Sequence, residues 1–296
     1  MPSTATDFLD PAALMRVKSL ELRARMVMEG FWKGLHKSPF HGFSVEFSEY
    51  RPYVRGDDPR FIDWKVMARS DRAYIKKFED ETNLRAHLLV DQSRSMTYGS
   101  GEYTKADYAS TLTATLAYFL MGQNDAVGLT TFDQHIDQHI PARNRPGQLR
   151  RLMLNLEHAP SGEGTNLGAA MKGLHELIRK RCLVILISDF LAPLEDLERQ
   201  IGYFAAGGHD IAIFQTLDRR EIDFNFQKAT HFRDAESGKD LYIDPAVAGN
   251  DYRERLNEHL DAVRTICTKH GARYRLTPTD EPLEHLLFEF VTEQTL

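Results

Sequence analysis

From about residue 82 onward, two kinds of apolar pattern alternate along the chain. Short, nearly continuous apolar runs are typical of strands buried on both faces, and they occur at 86–90, 127–132, 136–140, 182–187, 210–217 and 273–276. Between them, apolar residues recur every three or four positions, which predicts amphipathic helices over 105–121, 147–156, 167–178, 194–204, 251–269 and 282–291. This regular alternation predicts an α/β fold, a doubly wound and mostly parallel sheet over residues 83–296.

The first part of the chain follows a different pattern. Residues 11–33 have the apolar spacing of a helix, and short runs that alternate between apolar and polar residues follow at 43–47, 50–54 and 73–79. We therefore expect two domains: residues 1–82 as a helix with a strand-rich subdomain, and residues 83–296 as the α/β domain. Within the second domain, an insertion at about 218–250 alternates like a hairpin.

Composition narrows the classes of function. The formal net charge of -6 argues against nucleic acid or an anionic membrane surface as the main partner. No apolar run approaches the roughly 20 residues that span a bilayer, and the N-terminus lacks the basic and apolar segments of a signal peptide. Cys182 and Cys267 lie in a strand-like and a helix-like segment, as buried thiols do in a reducing compartment. We expect a cytoplasmic protein without membrane insertion.

Oxygen-bearing side chains lie where two of the predicted strands end. Asp91 follows the strand 86–90 and is trailed by Ser93 and Ser95, whereas Asp189 ends the strand 182–187. Thr165 opens the helix that precedes this second strand. The carboxyl ends of neighbouring parallel strands form the crevice in which open α/β sheets hold ligands, so all five oxygens could converge there. Oxygen-only ligands suit a hard cation such as Mg²⁺, although a simple Asp-Ser turn at residue 91 is the alternative.

The same residues resemble a known binding site. Asp91-Gln92-Ser93-Arg94-Ser95, Thr165 and Asp189 are similar to the metal-ion-dependent adhesion site of von Willebrand factor type A domains, in spacing and strand context over 83–296. The upstream segment resembles the hallmark of domain-of-unknown-function family fifty-eight, which joins such a segment to a type A-like domain, at residues 46–47, 51–53, 56–60, 62–64 and 68–69.

The resemblance carries expectations about fold and function. It implies a Rossmann-like sheet with strand order 3-2-1-4-5-6 and an antiparallel edge strand. It implies a non-catalytic module in which a metal ion (Mg²⁺, with Mn²⁺ and Ca²⁺ as alternatives) bridges to an acidic side chain of a protein ligand. It also implies a MoxR-type AAA+ ATPase as partner, in the assembly or remodelling of other proteins. Phe190 follows Asp189 where type A domains commonly have Gly, and a Phe there could narrow the rim of the site or make it apolar.

Rival interpretations use some of the same residues. Asp91 could be the nucleophile of a Mg²⁺-dependent phosphoryl-transfer enzyme of the haloacid dehalogenase type, but Ser93 occupies the place of the general acid and cannot donate as one. Residues 162–168 imitate a dinucleotide-binding fingerprint, but they follow a polar loop and not a strand. His135 and His139 lie four residues apart and would form a surface pair or, with a third ligand, a zinc site.

Overall fold

The computed structural model describes residues 8–37, 50–53, 67, 69, 74–76, 84–158, 167–178, 180–226, 230–233 and 240–294. The chain divides into two compact units, one formed by Met1–Lys37 together with Leu84–Leu296 and the other by Ser38–Asn83. The boundary near residue 83 agrees with the predicted one. The N-terminal helical segment, however, belongs to the α/β unit, whereas the sequence grouped it with the strand-rich segment.

The helices and strands follow the predicted alternation. The α-helices are α1 (Pro11–Met15), α2 (Leu20–Lys37), α3 (Lys105–Gly122), α4 (Gln148–Leu156), α5 (Leu167–Leu177), α6 (Leu194–Ala206), α7 (Arg219–Asp223), α8 (Pro245–Lys269) and α9 (Leu283–Gln294). The strands are β1 (Tyr50–Pro52), β2 (Tyr74–Lys76), β3 (Arg85–Asp91), β4 (Ala126–Phe132), β5 (Ile136–Arg143), β6 (Leu183–Ser188), β7 (Asp210–Leu217), β8 (Thr230–Arg233), β9 (Asp240–Ile243) and β10 (Arg273–Pro278).

A six-stranded sheet in the order β10-β7-β6-β3-β4-β5 forms the centre of the α/β unit. Its strands are parallel except for β5, which pairs antiparallel with β4 at one edge. When these strands are counted along the chain from β3, their order is 3-2-1-4-5-6, and the predicted topology is confirmed. The direction of winding reverses between β3 and β6, so their carboxyl ends flank the switch-point crevice.

Both faces of the sheet are covered by helices, which explains the continuous apolar runs of the strands. Ala86, Leu88 and Val90 of β3 face the apolar cluster formed with α1, α2, α3, α4 and α9. Leu89 faces the opposite cluster, formed with α5, α6 and α8. Because successive residues of a strand point to opposite faces, an apolar residue is needed at every position of such a strand.

The N-terminal segment forms two helices where one was predicted. Asp10 caps α1, because its carboxylate accepts hydrogen bonds from the backbone N–H groups of Ala12 (3.3 Å) and Ala13 (3.2 Å). Helix α2 packs on α3 and α9. Gly30 permits this close approach, since a Cβ at that position would lie 2.8 Å from Oε1 of Glu284 in α9. This packing is why the segment joins the α/β unit.

Two smaller pieces complete the described structure. In the unit Ser38–Asn83, β1 and β2 pair antiparallel, with Tyr50 opposite Lys76; the other predicted strand there, 43–47, lies outside the described residues. The insertion contains the antiparallel pair β8 and β9, so the predicted hairpin is confirmed. Cys182 and Cys267 are buried free thiols. Among the described helices, none is long and apolar enough to cross a membrane.

Candidate functional site

Asp91 is the last residue of β3 and is almost completely buried, with 1% of its surface exposed. Its Oδ1 accepts a hydrogen bond from the backbone N–H of Ser93 at 2.8 Å. The backbone N–H of Gln92 donates to the carbonyl of Phe132 at 2.7 Å, which holds the start of the loop against β4. A short 3-10 helix, Arg94–Thr97, then turns the chain away from the sheet. The strand end therefore presents a fixed, buried carboxylate.

The hydroxyls of Ser93 and Ser95 lie side by side in this loop. Their Oγ atoms are 3.1 Å apart and share a hydrogen bond. Ser93 is fully buried and Ser95 is half-buried. The loop thus gathers two neutral oxygens next to the Asp91 carboxylate, as the alternating spacing of the motif predicted.

Asp189 follows the neighbouring strand, β6, and Ser188 connects the two strand ends. The Ser188 hydroxyl donates to Oδ2 of Asp91 at 2.5 Å, across the boundary between β6 and β3. Besides a lysine ammonium group, two donors hold Asp189: the backbone N–H of Leu191 reaches its Oδ1 at 3.3 Å, and the Gln215 side chain reaches its carbonyl at 2.7 Å. Both predicted acids therefore flank one crevice in fixed positions.

The electrostatics of this crevice are those of two carboxylates brought close together. Burial, and after it the negative charge of Asp189, raise the pKa of Asp91 well above the usual range for an aspartate. The hydrogen bonds from Ser188 and Ser93 act in the opposite direction but do not outweigh burial. An ionised Asp91 therefore destabilises the folded chain, and a nearby cation would reduce this destabilisation.

Lys105 supplies one such cation, and the sequence interpretation missed it. Its ammonium group is buried, with Nζ 2.9 Å from Oδ2 of Asp189 and 2.8 Å from Oε1 of Glu221. Burial lowers the pKa of Lys105, but the two carboxylates outweigh burial and raise it overall, so the lysine stays protonated. A signal was present: Lys105 lies three residues before Tyr108, on the buried stripe of α3, where an unpaired charge would be costly.

The predicted metal ligands can now be placed one by one. The structure brings Asp91, Ser93 and Ser95 together and sets Asp189 on the adjoining strand end, while Thr165 lies outside the described residues. In the described parts of the chain, no three His, Cys, Asp or Glu side chains form a group that could hold a metal ion. An ion in this crevice would therefore depend on the serine hydroxyls as well as on the acids.

The side-chain oxygens of the acids and serines are suitable ligands for a hard divalent cation. The Ser93–Ser95 separation of 3.1 Å is close to the distance of about 3 Å between neighbouring ligands in an octahedral Mg²⁺ shell. Asp189 fits less simply, because the Lys105 ammonium already binds its Oδ2. Its contribution to an ion would come through a water molecule or through its other oxygen.

Phe190 does not lie at the rim of the crevice, and the expectation that it could narrow that rim or make it apolar is wrong. Its side chain is 1% exposed and belongs to the apolar cluster beneath α5, α6 and α8. Its backbone adopts a left-handed conformation, with φ of 52°, which explains why Gly is common at this position in type A domains. The Phe190 carbonyl accepts a hydrogen bond from Nε2 of His259 at 2.8 Å.

His135 and His139, the pair considered for a zinc site, have the surroundings of structural histidines. Nδ1 of His139 lies 2.9 Å from the hydroxyl of Thr130. The His139 ring also stacks on His87 with 6.1 Å between ring centres. His135 is exposed and is the last residue of the turn that leads into β5. These positions give no support to a zinc site at His135 and His139.

Comparisons with known proteins agree with this architecture. The sequence matches the family described as protein of unknown function DUF58 over residues 49–265. An uncharacterized protein of Mycobacterium tuberculosis is 29% identical over 265 residues, which cover 88% of this chain and 83% of that protein.

Solved structures show the fold. The conserved hypothetical protein BatB from Bacteroides thetaiotaomicron superposes with a TM-score of 0.52 at 16% identity, over 72% of this chain and 98% of that chain. An aerotolerance-related membrane protein from Bacteroides fragilis gives a TM-score of 0.52 at 15% identity, over 71% of this chain and 99% of that chain. At these identities the likeness concerns the fold alone.

Proposed function

The chain belongs to the DUF58 family, and on that premise we propose that it is a non-catalytic protein-binding module that captures its partner through a divalent cation in the crevice between β3 and β6. The observation that carries the proposal is the arrangement of Asp91, Ser93 and Ser95. A buried carboxylate and two hydroxyl oxygens 3.1 Å apart meet at the switch point of the sheet, where open α/β folds bind ligands.

Each residue has a distinct task in this proposal. Ser93 and Ser95 offer neutral oxygens to the ion, and Asp91 supplies the negative charge that attracts it. Ser188 fixes the orientation of the Asp91 carboxylate through its hydrogen bond. Bound Mg²⁺ would supply an electron-poor centre with a coordination position open to a carboxylate of another molecule. Thr165, as the sequence predicts, would add a third hydroxyl.

The partner that we propose is a MoxR-type AAA+ ATPase, presenting an Asp or Glu side chain to the crevice. The ATPase is the partner that the resemblance of the sequence implies. The ligand chemistry supports an acidic side chain, because a hard cation with neutral hydroxyl ligands favours an anionic oxygen as its last ligand. A client protein that the ATPase assembles or remodels would offer the same chemistry.

The phosphoryl-transfer alternative receives no support from the crevice. Ser93, at the place of the general acid, shares its hydroxyl with Ser95 and has no acidic proton to give. Lys105 could in principle hold a phosphate, but it is buried and neutralised by Asp189 and Glu221. Turnover of a generic phosphomonoester in Mg²⁺ that is lost in Asp91→Asn would overturn the binding proposal in favour of this enzyme.

Calorimetry with Mg²⁺ alone tests the ion site. The wild-type chain should bind Mg²⁺, and Asp91→Asn should abolish binding while it keeps the fold, since an amide has nearly the same shape without the charge. Glu195→Gln, which neutralises an exposed acid of α6, is the matched control and should bind as the wild type does.

The partner is tested with a purified MoxR-type ATPase and the immobilised full chain. Binding should be lost in EDTA and in Asp91→Asn, but should persist in Glu195→Gln. Equal binding with and without Mg²⁺, unchanged by Asp91→Asn, would mean that the two proteins do not meet through an ion.

A further inference from the structure

The ammonium group of Lys105 lies inside the crevice and is 1% exposed. Lysine is among the residues that are least often fully buried, and it is found there almost only when paired. Lys105 is also the first residue of α3, where the helix dipole disfavours a positive charge. Its position is therefore explained by the carboxylates of Asp189 and Glu221, which lie 2.9 Å and 2.8 Å from Nζ.

Both carboxylates are held in place independently of the lysine. Oε2 of Glu221 accepts a hydrogen bond from the backbone N–H of Asp218 at 2.8 Å, as part of the capping box that starts α7. Asp189 is held by the N–H of Leu191 and, through its carbonyl, by Gln215. Lys105 thus occupies a prebuilt gap between two anchored acids, and it carries a permanent charge there.

This arrangement determines how much negative charge remains for an ion. Asp91 and Asp189 would both attract a divalent cation, but the charge of Asp189 is already shared with an ammonium group at hydrogen-bond distance. The lysine and the ion would repel each other within a buried crevice, where charges are weakly screened. Glu221 opposes this effect, because it draws part of the positive charge away from Asp189.

We propose that Lys105 is a built-in counter-cation that weakens the affinity of the crevice for a divalent ion, so that stable ion binding requires the carboxylate of a partner. This inference rests on the proposed function of the crevice. Lys105 acts through Asp189 as a positioning residue and does not contact the partner. Ion and partner would then bind together, and the free chain would hold its ion weakly.

Two substitutions change the affinity in opposite directions. Lys105→Met keeps an unbranched chain but removes the charge, and Mg²⁺ should bind at least about tenfold more tightly. Glu221→Gln keeps an oxygen acceptor for Lys105 but removes the negative charge of Glu221. Of the two carboxylates that contact Lys105, only Asp189 then remains charged, so Mg²⁺ should bind several-fold more weakly. A purely structural role for Lys105 would weaken binding in both variants.

The experiment is Mg²⁺ calorimetry on the full chain, with circular dichroism to verify folding. Lys269→Met is the matched control, because Lys269 is an exposed lysine at the far end of α8, paired with Glu198. If Lys105→Met does not fold, Lys105→Gln replaces it, since it removes the charge and keeps a hydrogen-bond donor for Asp189 and Glu221. Tighter Mg²⁺ binding than in the wild type supports the inference, and unchanged or weaker binding overturns it.

The outcomes separate this inference from the function on which it rests. Equal dissociation constants in the wild type and both variants would overturn the role of Lys105 and leave the ion site intact. Mg²⁺ binding by Lys105→Met but not by the free wild type would support Lys105 as a counter-cation, and the effect of EDTA on partner binding would then decide whether the natural chain depends on an ion. Absence of binding in all the proteins would overturn both.

Discussion

The hydroxyl of Ser188, in β6, donates a 2.5 Å hydrogen bond to Oδ2 of Asp91, in β3. The same hydroxyl accepts a hydrogen bond from the backbone N–H of Phe190 at 3.1 Å. Ser188 therefore ties together the ends of two neighbouring strands at the switch point. It satisfies a buried carboxylate on one side and the start of the Asp189 loop on the other.

Replacement of Ser188 by Ala should destabilise the fold by about 1–3 kcal/mol, because it leaves a buried charged oxygen and a backbone N–H without this partner. Urea unfolding measures the change. Thr113→Val is the matched control: it also deletes a buried hydroxyl, but Thr113 donates only to the carbonyl of Ala109 in its own helix. A loss no greater in Ser188→Ala than in Thr113→Val would show that Ser188 does not support the site.

Replacement of Asp91 by Asn should stabilise the chain in EDTA. The ionised carboxylate is buried beside Asp189, which raises its pKa, so at pH 8 the charge opposes folding. The amide can still accept from Ser93 and can donate to Ser188. A gain on the order of 1 kcal/mol would raise the Tm by about 2–4 °C, measurable by calorimetric scans. A lower Tm than that of the wild type would mean that Asp91 is needed for the fold itself.

The topology could be predicted because it depends on averages over many residues. Strands buried on both faces need an apolar side chain at every position, and β3 and β6 have that signature. Helix ends were less predictable, because they depend on local contacts. The break between α1 and α2, for example, accompanies the capping of α1 by Asp10 and the packing of α2 beside Glu284.

The acids and hydroxyls of the site could also be anticipated from motif spacing. The place of Lys105 on the apolar stripe of α3 signals a buried charge, but it does not show which acids pair with that charge. Lys105 is distant from Asp189 in sequence and meets it only because α3 and β6 pack on the same crevice. Phe190 combines a buried side chain with a left-handed φ angle. Such features come from single backbone angles and contacts, and a pattern of residue types does not specify them.

Substitutions at Phe190 test its left-handed conformation. The Gly variant should be more stable than the Ala variant, which is the reverse of the order expected in a helix. Phe190→Ala should cost about 3–5 kcal/mol, because it empties a packed site. Phe190→Gly should cost less than Phe190→Ala, by about 1 kcal/mol, since glycine adopts positive φ without strain. Guanidinium unfolding of both variants gives the comparison. Phe204, buried in the same apolar cluster and helical two residues before the end of α6, provides the control: there the Ala variant should be the more stable one.

Asp125 offers a test of pH dependence away from the crevice. Only 8% of this residue is exposed, and its Oδ1 accepts a hydrogen bond from the backbone N–H of Leu84 at 3.1 Å. Burial raises the pKa of Asp125 to about 6, whereas its ordinary value is 3.8. Because the folded state holds this proton more tightly than the unfolded state, the group should reduce stability as pH rises from about 4 to about 6.

Asp125→Asn removes this cost but keeps an oxygen that can accept from Leu84. The variant should match the wild type near pH 4 and exceed it at pH 7–8, by at most about 3 kcal/mol. Urea unfolding at several pH values measures the difference between the two proteins. Asp137→Asn, at an exposed aspartate of β5, is the matched control. A constant difference between Asp125→Asn and the wild type from pH 4 to pH 8 would mean that the Asp125 carboxylate is ionised as easily in the folded chain as in the unfolded one.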